Sequence, residues 1–338
     1  MEFIAPKELS SYIKVIGVGN GGINAVNNMC REGINGIDLI VCDTDAVSLA
    51  KSPVKTKIQL GEGMGTGGKP VLAKQFATEN AETIKNVFVE NTRMLFIMAG
   101  MGGGTGTGAA PVIAKIVKEI DTKDEFVPNI LVVAVVTLPF HFEGRERLAL
   151  AQHGLDELRS VADALIVIDN NKMIEGEHIK FSQCFAKSDE MMFSPIKNLA
   201  STLMCDALIN CDMRDIVFSL RNGGDTFMGV GVAKGETRSL DAMLRALQKP
   251  LTVISDVSGA RTVFLHFSCS KEHELTNDEL GQAFDYFNGV CVRQPVVRYG
   301  MGYDETLGES LKIIVVATNI QPTERDPRVL MGDVVCGF

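Results

Sequence analysis

The stretch Ala99-Gly100-Met101-Gly102-Gly103-Gly104-Thr105-Gly106-Thr107-Gly108 decides how this chain folds, and most of its residues are glycine. It follows the apolar run 94–98, which is typical of a buried strand. It precedes residues 109–120, whose apolar positions recur at helical spacing. A strand, a glycine turn and a helix in this order leave backbone N–H groups free at the helix N-terminus, where anions bind. The stretch therefore predicts a phosphate site rather than a flexible loop.

Two further glycine-rich turns could take the phosphate. The turn 17–22 fits the spacing G-x-G-x-x-G, and Asp43 and Asp45 follow the next predicted strand, which is the pattern of a dinucleotide-binding domain. The turn 63–70 nearly fits a P-loop, but it ends in Pro70, which has neither a hydroxyl nor an N–H group. Turns that follow parallel strands lie at the same sheet edge, so together they predict a site for a nucleotide with several phosphates.

The order of the predicted elements indicates an α/β fold. Continuously apolar strands alternate with helices as far as residue 168, which predicts a Rossmann-like parallel sheet covered on both faces. Residues 189–209 predict a long central helix that Pro195 kinks or delays. The remainder predicts a smaller α+β C-terminal domain with strands at 253–254, 262–267, 290–298 and 312–318. We expect a nucleotide-binding domain at 1–186, the central helix and its following loop at 187–212, the C-terminal domain at 213–319, and a short tail at 320–338.

Composition narrows the class of protein. The 338 residues carry a net charge of −9, which argues against a general nucleic-acid surface. No apolar run reaches the roughly 18 residues that a membrane span needs, so no direct membrane insertion is expected. The eight cysteines form no CxxC pair, and the five histidines have no metal-ligand spacing. These features predict a cytoplasmic protein with reduced thiols.

The motifs together resemble a known family. The run 102–108, the segment 17–27, Pro139–Arg145 and Asn210-Cys211-Asp212 occur in the order found in the tubulin/FtsZ superfamily, and they look like its FtsZ branch of bacterial cell-division GTPases. The resemblance covers most of the chain between residues 12 and 319. It implies the tubulin/FtsZ fold, GTP and GDP as ligands, Mg²⁺ on the phosphates, and GTP hydrolysis by a cytoskeletal filament at the division site.

The resemblance also assigns residues to the nucleotide. Asn170 and Asp189 match positions that read guanine, and Phe185 matches the residue that stacks on the base. Glu143 and Arg147 match contacts near the ribose and phosphates. Taken alone, Glu143 and Arg147 favour a surface salt bridge at i,i+4 spacing, and Phe185 favours a core side chain. The backbone and side chains implied around the phosphates are Gly19, Asn20, Gly21, Gly22, Asn24, Gly102, Gly103, Gly104, Thr105, Gly106, Thr107 and Gly108.

The segment 210–215 resembles the family's catalytic loop. It implies that Asp212 and Asp215 position the attacking water, that Asn210 orients the loop or the water, and that Mg²⁺ lies on the phosphates near Asp212 without a confident side-chain ligand. Alone, Asp212 favours a helix C-terminal or turn residue over a catalytic one. If most of 189–212 is helical, its ends lie about 30 Å apart, too far for Asp212 to reach its own nucleotide. Asp212 would then act on the next subunit, and such head-to-tail contacts build a longitudinal filament of identical copies.

Departures from the family pattern leave a second function open. The turn 61–70 is short and lacks the family's arginine, Asn20 replaces a glycine, 121–129 looks inserted, and Arg214 lies between the two aspartates. The family's long linker and tail, which bind division proteins or membrane adaptors, do not follow, which implies a truncated or divergent member. The alternatives are an FtsZ-like paralogue with weak or no GTPase activity and, on residues 17–22 alone, a nicotinamide oxidoreductase.

Overall fold

The computed structural model describes residues 12–34, 36–174, 180–204 and 206–321. The chain divides into two compact units, Met1–Lys197 and Asn198–Phe338. In the part of the chain that is described, no helix is both long and apolar enough to cross a membrane.

Unit 1 alternates strands and helices. Its strands are β1 (Ile13–Val18), β2 (Asp38–Asp43), β3 (Thr56–Gln59), β4 (Met94–Gly100), β5 (Leu131–Leu138) and β6 (Ala164–Asp169). Its helices are α1 (Gly19–Glu32), α2 (Ala46–Lys51), α3 (Pro70–Glu79), α4 (Ala81–Phe88), α5 (Gly104–Lys118), α6 (Arg145–Val161), α7 (Asn170–Ile174) and α8 (Phe181–Met204), the last of which runs on past the unit boundary.

The strands of unit 1 form a parallel sheet in the order β3-β2-β1-β4-β5-β6. The order reverses between β1 and β4, and such switch points are where open α/β sheets bind ligands. The central strands β1, β4 and β5 are buried almost throughout, which is why their sequences are continuously apolar. This confirms the predicted Rossmann-like domain.

Unit 2 is the smaller α+β domain that the sequence predicts. Its strands are β7 (Asp206–Ile209), β8 (Gly224–Asp225), β9 (Phe227–Ala233), β10 (Thr262–Cys269), β11 (Val296–Tyr303) and β12 (Leu311–Thr318), and its helices are α9 (Met213–Leu220), α10 (Arg238–Gln248) and α11 (Asn277–Val290). A mixed sheet has the order β7-β11-β10-β12-β9, in which β10 and β11 are parallel and the other pairs antiparallel. Helices α10 and α11 supply part of its buried core.

Three predicted elements were wrong in detail. The long helix begins at Phe181, eight residues before the predicted start, and continues through Pro195. This proline therefore does not delay the start of the helix. Residues 206–209 form β7 instead of helix, because they pair with β11. Residues 253–254 form no strand, and 290–295 precede β11 instead of belonging to it.

Candidate functional site

A cavity of about 480 Å³ lies at the carboxyl edge of the unit 1 sheet. Its volume falls within the range of small-molecule sites. Its walls include residues that directly follow β1, β2, β4, β5 and β6. All three glycine-rich turns contribute, with Gly19–Gly21, Gly65–Gly68 and Gly103–Gly106 in the lining. The prediction that these turns meet at one sheet edge is confirmed.

Two helix N-termini open onto this cavity. Helix α1 begins at Gly19 and helix α5 at Gly104, each inside its glycine turn. Neither N-terminus has a side-chain cap, so the first backbone N–H groups are left for another acceptor. The aligned peptide dipoles add a partial positive charge at each of these ends. In the turn 17–22, the residue with a left-handed backbone is Gly19 (φ 70°). Asn20 has no positive φ, so asparagine can stand in the place of the family's glycine without backbone strain.

Most residues that the sequence assigns to the nucleotide line the cavity. They are Gly19, Asn20, Gly21, Asn24, Gly103, Gly104, Thr105, Gly106, Glu143, Arg147, Asn170, Phe185 and Asp189.

Gly22, Gly102, Thr107 and Gly108 are not in that lining. The Thr107 hydroxyl accepts a hydrogen bond from the Gly102 N–H group at 2.9 Å, which closes the glycine turn on itself. A Cβ atom on Gly22 would lie 2.1 Å from the Met98 carbonyl oxygen, so glycine there lets α1 pack against β4. These residues shape the turns around the cavity.

One end of the cavity is suited to a planar, polar ring. Asn170 is buried, and its Oδ1 accepts a hydrogen bond from the Ser188 hydroxyl at 2.7 Å. Phe185 is 41% exposed and packs edge-on against Phe140 with ring centroids 5.4 Å apart, so it is not the core residue that its sequence alone predicts. Burial raises the pKa of the Asp189 carboxyl to about 7.

Glu143 and Arg147 form the ion pair that their spacing predicts, and both side chains also line the cavity. One Glu143 oxygen accepts the Phe140 backbone N–H at 2.9 Å, and the other binds the Arg147 guanidinium. Because both oxygens are engaged, Glu143 holds Arg147 at the rim. The salt-bridge and nucleotide-contact interpretations are thus compatible.

A polar cluster from two turns, those after β2 and β4, was missed by the sequence reasoning. The Thr44 and Thr105 hydroxyls lie 2.8 Å apart, and the Asp43 carboxylate accepts the backbone N–H groups of Thr44 at 2.7 Å and Asp45 at 3.3 Å. Burial raises the pKa of Asp43, although these hydrogen bonds partly offset the effect. Asp45 caps α2 through the Val47 N–H group. Both aspartates are therefore engaged by their own turn, which disfavours the ribose contact of the dinucleotide interpretation.

The charges in the cavity lining are mostly negative. Asp43, Asp45, Glu143 and Asp189 oppose the single guanidinium of Arg147. In the described ranges, no group of three or more His, Cys, Asp or Glu side chains is arranged to hold a metal ion. A polyphosphate in this cavity would accept hydrogen bonds from backbone N–H groups, and a hard cation would neutralise part of its charge. The phosphate oxygens would supply most of the ligands to that cation. That donor set suits Mg²⁺, which keeps several waters and binds few protein ligands.

The loop 210–215 lies in unit 2, and none of its residues lines the cavity. Asn210 and Asp212 are exposed, and Asp215 is half-buried. Asp212 caps α9: its Oδ1 accepts the Asp215 N–H at 2.9 Å, while Asp215 Oδ2 accepts the Asp212 N–H at 3.3 Å. Asp212 thus caps the N-terminus of α9, whereas the sequence alone predicts a helix C-terminal or turn residue. Arg298 Nε lies 3.9 Å from Asp215 Oδ1.

Comparison with known proteins gives a consistent result. A model described as "Tubulin/FtsZ family, GTPase domain" matches residues 12–177, and one described as "FtsZ family, C-terminal domain" matches residues 224–321. The cell division protein FtsZ of Wigglesworthia glossinidia brevipalpis is 36% identical over 95% of this chain and 83% of its own length. FtsZ of Pseudomonas aeruginosa is 34% identical over 97% of this chain and 82% of its own length.

Solved structures also match. An FtsZ dimer from M. jannaschii has a TM-score of 0.81 and 34% identity, covering 92% of this chain and 88% of that one. CetZ2 from Haloferax volcanii, a GTPγS-bound protofilament, has a TM-score of 0.78 at 21% identity, covering 95% and 96%, and shares the fold.

Proposed function

The chain belongs to the FtsZ family, and on that premise we propose that its cavity binds GTP and that hydrolysis takes place between two copies of the chain. A GTPase function in the cell-division cytoskeleton comes with the family. One observation supports the shared site most directly. The nucleotide-sized cavity lies wholly in unit 1, whereas the loop with two aspartates lies in unit 2, outside the cavity lining and with Asp212 exposed.

Asp189 and Phe185 select the base in this proposal. An ionised Asp189 carboxylate accepts hydrogen bonds from guanine N1–H and N2–H₂, and adenine offers neither of these donors. Asn170 is fixed by Ser188 and adds a second polar contact. Phe185 supplies the stacking face. Because the pKa of Asp189 is about 7, part of the carboxyl population is already ionised at neutral pH.

The phosphates lie against the glycine turns. The free N–H groups at the starts of α1 and α5 donate to phosphate oxygens. The Thr44 and Thr105 hydroxyls line the same wall and can donate as well. Arg147 adds the one positive side chain of the lining and is held in place by Glu143.

Mg²⁺ would be held mainly by the phosphate oxygens and by water, and Thr44, Thr105 and Asp43 are residues of the cavity lining whose oxygens could help to hold it. When bound, it supplies charge neutralisation on the phosphates. The acidic lining makes such a counter-charge necessary for tight triphosphate binding.

Asp212 and Asp215 act on the nucleotide of the neighbouring copy. The carboxylates orient a water molecule in line with the γ-phosphorus and accept its proton as the new P–O bond forms. The bond between the γ-phosphorus and the bridging oxygen breaks, which leaves GDP and inorganic phosphate. Asn210 orients the loop or the water. The contact is head-to-tail and does not close, so it propagates as a filament, and hydrolysis weakens it.

Self-association is consistent with the relatives, since one matching FtsZ structure is a dimer and one fold neighbour is a protofilament. We further propose that the filament acts at the division site in the cytoplasm, with division proteins or membrane adaptors as partners. The alternative of a weakly hydrolysing paralogue is favoured by one observation, the approach of Arg298 to Asp215, because the guanidinium competes with water for this carboxylate.

GTP affinity should fall as the pH falls through 7. Asp189 must be ionised to accept from guanine, and its pKa is raised to about 7. The ionised fraction drops from about 0.9 at pH 8 to about 0.1 at pH 6, so binding of guanosine nucleotides should weaken by roughly ninefold. The Asp189→Asn variant has no titrating group at this position, so the pH dependence of its GTP binding should come only from ionisation of the phosphates. Equal pH dependence in the two proteins, measured by titration calorimetry, would remove Asp189 from base recognition.

Nucleotide choice and assembly test the function as a whole. With Mg²⁺, the chain should bind GTP at least tenfold more tightly than ATP and should sediment as polymer with GTP but not with GDP. NAD should not compete. Binding and sedimentation of GTP-loaded protein without phosphate release would point to the weakly hydrolysing paralogue. Preference for NAD over GTP would contradict the proposal entirely.

A further inference from the structure

Both carboxylate oxygens of Asp215 face a partner within unit 2. Its Oδ2 accepts the Asp212 N–H group at 3.3 Å, as part of the cap of α9. Its Oδ1 lies 3.9 Å from the Nε atom of Arg298. The second distance is longer than a hydrogen bond, so the attraction between opposite charges accounts for this contact. An arginine from outside the loop 210–215 thus faces one of the loop's two aspartates.

Arg298 reaches α9 from the mixed sheet of unit 2. It lies in β11, where its partner in the parallel register with β10 is the buried Phe264. Helix α9 packs against β10 and β12. The guanidinium carbon lies 5.0 Å from the centre of the Phe218 ring in α9. Because Asp215 and Phe218 are three residues apart on this helix, they share one face. Arg298 therefore bridges β11 to the face of α9 that carries Asp215.

The contacts of Arg298 are partly open to solvent. Phe218 is 51% exposed, and the side chains of Arg298 and Asp215 are 49% and 32% exposed. A cation over an exposed ring and an ion pair at the surface are each weak interactions. Both act on the same guanidinium, so the ring helps to keep it beside the carboxylate. A restraint of this strength is reversible.

We propose that Arg298 is a positioning residue that restrains Asp215 and slows GTP hydrolysis. This rests on the proposed function, in which Asp215 acts on the nucleotide of the neighbouring copy. A carboxylate orients the attacking water only when that water lies within hydrogen-bond distance of one of its oxygens. The cap of α9 already engages Oδ2, and the guanidinium competes with water for Oδ1. The phosphates of the neighbouring copy's nucleotide attract the guanidinium and release Asp215.

The variant Arg298→Gln tests the restraint. Turnover at saturating GTP, expressed per sedimented subunit, should rise about twofold to fivefold, which is the range of a partly exposed ion pair. The KM for GTP should stay within twofold of the wild type, since Arg298 lies outside the cavity lining. Unchanged turnover would overturn the proposal. Lower turnover would also overturn it, and would indicate that the guanidinium acts on the transferred phosphate instead.

Two further variants separate the charge of Arg298 from a general effect on unit 2. Arg298→Lys keeps the positive charge, so its turnover should lie closer to the wild type than that of Arg298→Gln. Arg261→Gln removes another exposed arginine, at the residue before β10, and should leave turnover unchanged. An equal rise in Arg298→Gln and Arg261→Gln would overturn a specific role of Arg298.

The double variant with Asp215→Asn tests whether Arg298 acts through Asp215. Asparagine can still accept the Asp212 N–H group, but it carries no charge to attract the guanidinium. Adding Arg298→Gln should therefore not raise turnover above the level of Asp215→Asn alone. A twofold to fivefold rise in this background would show that Arg298 acts independently of Asp215, against the proposal.

The variant Asp212→Ala separates failure of this inference from failure of the proposed function. If Asp212→Ala keeps wild-type turnover, the catalytic site completed between two copies is wrong. If Asp212→Ala loses turnover and Arg298→Gln gives no rise, the shared site stands and the restraint by Arg298 is wrong.

Discussion

Replacing Asp212 with alanine is expected to reduce GTP turnover per subunit by roughly 10²- to 10⁴-fold, the usual contribution of a positioned acid–base group. Asp212 is exposed at the start of α9 and lies outside the cavity lining, so GTP binding should stay within twofold of the wild type. Phosphate release at saturating GTP and equilibrium GTP binding measure the two effects separately. Loss of both together would place Asp212 in the fold or in the binding site.

Two controls separate chemistry from the helix cap. Asp212→Asn keeps a side chain that can accept the Asp215 N–H group, so α9 should remain capped while the charge is lost. It should be nearly as inactive as the alanine variant. Thr276→Ala removes the corresponding cap of α11 and should cost about 1 kcal/mol of stability with turnover unchanged. If Asp212→Asn is fully active, Asp212 acts only as a cap.

Gly106→Ala is expected to weaken GTP binding by at least 100-fold. A Cβ atom there would lie 2.5 Å from the Gly100 carbonyl oxygen, and a backbone atom cannot rotate away. The turn must therefore shift, and the N–H groups at the start of α5 no longer point toward the phosphates. Each hydrogen bond to a charged phosphate contributes about 1.5–3 kcal/mol, so losing two of them accounts for the effect. Binding of labelled GTP measures the loss.

Gly281→Ala is the matched control for this variant. Gly281 lies in α11, where an added Cβ atom meets nothing within 4 Å. The substitution should leave GTP binding unchanged and raise stability by about 0.5–1 kcal/mol, since alanine favours helix. Wild-type GTP affinity in Gly106→Ala would mean that the turn after β4 does not hold the phosphates.

The sequence alone predicted the parts of the structure that are determined by residues close together in the chain. Buried parallel strands need continuous apolar runs, and turns against a phosphate need glycine, so the sheet of unit 1 and the cavity edge could be read from residues 13–22 and 94–108. Family resemblance added Asn170, Phe185 and Asp189, which periodicity cannot single out. All three line the cavity, although what they bind stays a prediction.

The parts that were missed depend on contacts between distant residues. Asp43, Thr44 and Thr105 form a cluster only because the turns after β2 and β4 meet at one edge. Residues 206–209 have an apolar content that suits a helix, and their pairing with 301–303 makes them a strand. Strand β9 went unnoticed because Gly229 and Gly231 interrupt its apolar pattern, and the backbone of α10 approaches closely at both glycines.

GTP turnover per subunit as a function of protein concentration, with Mg²⁺, tests the shared site most directly. If one copy completes the site of the next, turnover per subunit should be near zero at low concentration, rise above a critical concentration, and stay near zero in Asp212→Ala at every concentration. Turnover per subunit that is independent of concentration would contradict a catalytic site completed between two copies.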